Sequence, residues 1–91
     1  MREFRFQSDD ARKDGVFVLD GLVLEAFGFG RDEARRVHLG LADTAEIVEK
    51  GETYLKVDGN TPGLQQLAQV VDPADPGLNE LVTELQGRVG G

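Results

Sequence analysis

The chain has 91 residues, no cysteine and a net charge of -7, with 17 acids against ten bases. A chain of this length buries only about 60 to 65% of its unfolded surface, enough for one core and therefore one domain over residues 1–91. Without cysteine it has neither disulfides nor thiolate metal sites, and its acidity opposes nucleic acid and anionic lipid, whose binding rests on Lys and Arg neutralising phosphates.

The acidity is concentrated late: residues 1–40 hold seven Lys and Arg against eight acids, residues 41–91 three against nine. The longest apolar runs, Val16 to Leu19 and Leu22 to Leu24, fall far short of the roughly 20 residues of a membrane span. Met1 to Phe6 alternates charge and ring and does not form a signal peptide. The expectation is a soluble, unexported, cytoplasmic protein without an integral membrane segment.

Glu3 to Gln7 alternates polar and aromatic with a period of two, which predicts a half-buried strand with Phe4 and Phe6 facing inward. Ser8 to Gly15 is polar without periodicity and reads as a surface loop. Val16 to Leu19 and Leu22 to Phe27 favour a pleated surface and are joined by Asp20-Gly21, the pair suited to a two-residue hairpin turn. Gly28-Phe29-Gly30 could be taken for half a phosphate loop. A dinucleotide fingerprint would need glycine at position 33, where Glu33 stands, and a Walker-type loop would need Gly-Lys-Ser or Gly-Lys-Thr, which is absent. The glycines therefore let the chain turn at the end of a strand.

From Arg35 onward, Val37, Leu39 and Leu41 stand two apart, which predicts a strand with these three inward and His38 on the opposite face. Ala45 to Lys50 and Thr53 to Val57 flank Gly51-Glu52 as a second hairpin, ended by the turn cluster Asp58 to Gly63. Residues 64–71 are ambiguous between a helix, capped by Thr61-Pro62 with Leu64, Leu67, Ala68 and Val71 on one side, and a closing strand from Leu67 to Val71. Asp75-Pro76 supplies an N-cap and first helical residue, and Leu78, Leu81, Val82, Leu85 and Val89 form the stripe of an amphipathic helix. The fold class is α+β, mostly β: a small split barrel or strongly bent antiparallel sheet with a C-terminal amphipathic helix.

No catalytic constellation emerges. His38 is the only histidine and Ser8 the only serine, so a nucleophilic triad has no parts and zinc has too few ligands. Asp9, Asp10 and Asp14 lack the alternating spacing of a calcium loop. No enzyme activity, metal or cofactor is expected. What remains is a basic island, Arg31, Arg35, Arg36 and His38, in an acidic chain. Guanidinium forks suit carboxylate and phosphate, while Asp32 and Glu33 nearby could neutralise the island and cross-strand pairing could absorb it.

The hairpin "VFVLDGLVLEAF", the stretch "RRVHLGLADTAEIV", "YLKVDG" and the final "LNELVTELQGRV" together resemble small bacterial pleckstrin-homology-like domains of the PH and GRAM type. The resemblance covers most of the sequence and carries no catalytic signature. It implies a split barrel plugged at one end by the helix, with Asn79, Glu80, Thr83, Glu84 and Gln86 on the helix's outer face. The family's lipid binders carry a basic loop between their first strands, whereas Ser8 to Gly15 and Asp20-Gly21 here are acidic or mixed. The expected function is a non-catalytic module binding a protein or peptide through a sheet edge or a groove beside the helix. The first alternative is an anionic headgroup or phosphate binder using Arg31, Arg35 and Arg36; a small hydrolase or metal enzyme ranks last for want of a nucleophile, base and ligand set. Exposed strand edges also permit a homo-oligomer.

Overall fold

The structure is a computed structural model describing residues 1–60 and 66–90. Among the described residues seven strands and one α-helix follow in order: β1 (Arg2–Phe6), β2 (Gly15–Asp20), β3 (Val23–Gly28), β4 (Arg35–His38), β5 (Thr44–Lys50), β6 (Glu52–Asp58), β7 (Leu67–Val70) and α1 (Gly77–Gln86). They form two antiparallel sheets, one of order β1-β2-β3-β4 and one of order β5-β6-β7. The described strands close no barrel. At one seam β4 and β7 touch without a ladder, and at the other α1 packs on both β1 and β5.

Both sheets and the helix feed one core. Alternation along the strands buries Phe4, Phe6, Phe17, Leu24 and Val37 from the first sheet and Leu55, Val57 and Leu67 from the second, with Leu78, Leu81 and Leu85 from α1. Val82 packs partly buried beside them, so the predicted stripe from Leu78 to Leu85 is the buried face; Val89 also packs there, but from the turn beyond the helix end at Gln86. The helix begins one residue later than read, with Pro76 at the N-cap and Gly77 first in the helix; the Asp75 Oδ1 still accepts from the Gly77 amide at 2.8 Å. No helix among the described residues is long and apolar enough to cross a membrane.

Two further local expectations are corrected and one open alternative is resolved. The first hairpin turns one residue later than read, because Asp20 still pairs with Val23 and leaves Gly21-Leu22 at the tip. Gly21 has φ +60, which a primed turn demands at its first central position and glycine meets without strain. The strand through Arg35 stops at His38, and Leu39–Leu41 winds into a 3-10 turn. Leu39 stays buried, but the turn breaks the alternation and leaves Leu41 39% exposed, with Ala42 taking the inward place. Residues 67–70 form strand β7 paired with β6, which excludes helix there. The Thr61-Pro62 cap lies outside the described residues.

Candidate functional site

The basic island does not stay together. On β4 the pleat sends Arg35 to the same face as buried Val37 and turns Arg36 and His38 to the other. Arg36 stands opposite Glu25 in the register and donates to its Oε2 at 3.3 Å, the cross-strand pairing of a solvated face. His38 accepts at Nδ1 from the Gly40 amide at 3.2 Å and so caps the 3-10 turn that follows. Both side chains are committed to local structure.

Arg31 and Arg35 belong to a different place. Gly28, Phe29 and Gly30 all have positive φ, 87, 55 and 71. This left-handed turn drives the Phe29 ring into the core, 4.8 Å from Phe17 and 6.4 Å from Phe6 between ring centres. A phenylalanine at positive φ costs about 1 to 2 kcal/mol, which burial of the ring, worth roughly 1.5 to 3 kcal/mol, offsets. The Phe29 amide donates to the Asp14 carbonyl at 2.8 Å, and the Arg31 amide to the Gly28 carbonyl at 3.1 Å. The turn that buries Phe29 therefore leaves Arg31 outside, where it lines a shallow cleft with Asp32, Glu33 and Arg35.

Arg35 reaches from that cleft to the β4–β7 seam. Its Nη1 donates to the Ala68 carbonyl at 3.3 Å, and its Nη2 is buried with no partner. Burial and then the neighbouring charge of Arg31 depress the Arg35 guanidinium below its ordinary range. Asp32 and Glu33 balance the charge of the pair within the cleft but contact neither guanidinium: among the described residues neither has a carboxylate within ion-pair distance. A second cleft, lined by Arg12, Phe29, Gly30, Arg31, Tyr54, Ala68, Gln69 and Val70, continues from the first along β7.

The acids of the first loop build the loop. Asp14 Oδ1 accepts from the Ser8 amide, Ser8 Oγ from the Asp10 amide, and Asp10 Oδ1 from the Arg12 amide. The Arg12 guanidinium then bridges Asp10 and Glu52 at 2.9 and 2.8 Å and holds the exposed Asp10 carboxyl below its usual range, chiefly by their side-chain hydrogen bond. Among the described residues no three His, Asp or Glu side chains converge as a metal site would require.

Sequence reasoning expected an exposed strand edge without naming the strand, and the structure offers one in β5. Gln86 of α1 donates to the Ala45 carbonyl at 3.0 Å, so odd-numbered residues of β5 turn their backbone groups away from β6. Beyond Ala45 that edge runs on through Ile47 and Glu49 without a neighbouring strand among the described residues. The hairpin pattern gave β5 and β6, but strand order, which makes β5 an edge, was not readable from it. Comparison with protein-family models, with curated proteins and with solved structures returns no match.

Proposed function

We propose that this protein is a non-catalytic interaction module of pleckstrin-homology-like type that takes a protein or peptide partner as an added strand on β5. The order of the two sheets followed by a C-terminal helix supports the family reading. The observation that carries the binding mode is the β5 edge itself: a seven-residue strand whose outward backbone is capped by the helix at Ala45 alone among the described residues. An extended segment gains main-chain hydrogen bonds there, and α1 beside the edge supplies a wall. A second copy of the protein is one such partner.

Glu49→Pro removes an edge amide without taking a bond from the β5–β6 ladder. Capture of partners by immobilised protein, with the oligomeric state measured in parallel, tests the reading. Wild type should capture a partner, or self-associate, and Glu49→Pro should lose this at an unchanged melting temperature. Equal capture by both proteins removes the reading.

A further inference from the structure

Arg2, Arg12, Arg36 and Arg88 each hold a carboxylate; Arg5, Arg31 and Arg35 hold none among the described residues, and of these Arg31 and Arg35 line one cleft together, with Asp32 and Glu33 beside them but unpaired. We propose that Arg31 and Arg35 form a receptor for a single carboxylate, that of an acidic residue or of the free carboxy terminus in a peptide lying along the cleft beside β7. The inference is independent of the β5 edge, which lies at a different strand.

Three features of the seam support it. The resting place of Arg35 is a poor one, with one long hydrogen bond and one buried, idle nitrogen, so little is lost when the guanidinium turns on its flexible stem toward an anion. Bidentate pairing would then satisfy both terminal nitrogens, the geometry a planar fork shares with a carboxylate. An anion between the two cations also relieves their mutual repulsion, which adds to the larger effect of burial in depressing Arg35.

The cleft's own charge selects among anions. Asp32 and Glu33 line it together with the two arginines, so its four ionised groups sum to zero. A carboxylate brings one negative charge, but a phosphate dianion or an inositol polyphosphate brings two or more against the same two acids. Arg36 and His38 lie on the other face of β4 and contribute nothing to the receptor.

The test is an NMR titration at constant ionic strength, observing backbone amides and arginine Nε–Hε groups. The probes are a blocked peptide with one central Glu, its Gln counterpart, an unblocked alanine peptide and inorganic phosphate. Saturable shifts at Arg31 and Arg35 with the Glu peptide or the unblocked peptide are expected, and which of the two acts identifies the source of the carboxylate. The Gln peptide should give none, and the shifts should vanish in Arg35→Met and in Arg31→Gln, the latter an exposed turn residue whose loss leaves the core intact. Equal shifts with the Gln peptide, stronger binding of phosphate, persistence in both variants, or no saturable shift with either carboxylate overturns the proposal.

Discussion

The two seams between the sheets are built in opposite ways. Along the helix seam the polar groups find partners: Arg2 pairs with Glu80 and Glu84, Arg88 donates to the Gly21 carbonyl and to Glu84, Gln86 donates to Ala45, and the Gly90 amide reaches the Leu39 carbonyl. Beneath these contacts lie Leu78, Leu81 and Leu85, all buried. Between β4 and β7 the polar connection is one 3.3 Å hydrogen bond, from a guanidinium whose other terminal nitrogen has no partner, and beside it Gln69 of β7 donates to the Arg12 carbonyl at 2.8 Å. Satisfied polar groups over buried leucines stabilise a fold, while a desolvated, unpaired cation weakens it. The difference predicts that the first seam carries more of the fold's stability than Arg35 does at the second.

Substitutions sharpen that contrast. Leu81 is fully buried in the helix seam, and Leu81→Ala should lower unfolding free energy by about 2 to 5 kcal/mol in urea titration. Next in size is Gly15→Ala. A methyl there would stand 2.5 Å from the Phe27 carbonyl oxygen and 2.6 Å from the Phe29 ring, so overpacking should cost about 1 to 3 kcal/mol. Arg2→Gln removes half-exposed ion pairs and the guanidinium stacked 4.7 Å from the Phe4 ring centre and should cost about 1 kcal/mol by the same titration.

The smallest effect concerns pH. Because Arg12 lowers the Asp10 pKa from its ordinary value of 3.8, the loop's ion pairing favours folding above pH 3.8 and is lost as pH falls through the lower folded value. Carbon NMR of the Asp10 carboxyl should give a midpoint below 3.8, moving up toward 3.8 in Arg12→Gln.

Much of this architecture was legible because strand and helix periods differ. Phe4 and Phe6, the alternation around Leu55 and Val57, and the spacing of Leu78, Leu81 and Leu85 each named an element and its buried face. Residues 67–70 resisted because an inward position of that strand is polar. Gln69, only 4% exposed, hides the alternation, and its amide donates instead to the Arg12 and Val70 carbonyls at 2.8 Å. The island from Arg31 to His38 was legible as composition but not as a site. Which arginines share a face depends on where β4 begins, and which are free depends on Glu25 in a neighbouring strand and on the left-handed turn at Phe29. Pairing between distant residues leaves no local period to read.

The most direct test of the division between the seams is the urea midpoint of Arg35→Met. Replacing an unpaired, half-buried cation with an apolar side chain of similar length should leave the midpoint unchanged or raise it. A fall comparable with that of Leu81→Ala would contradict the account, because it would make Arg35 a support of the fold.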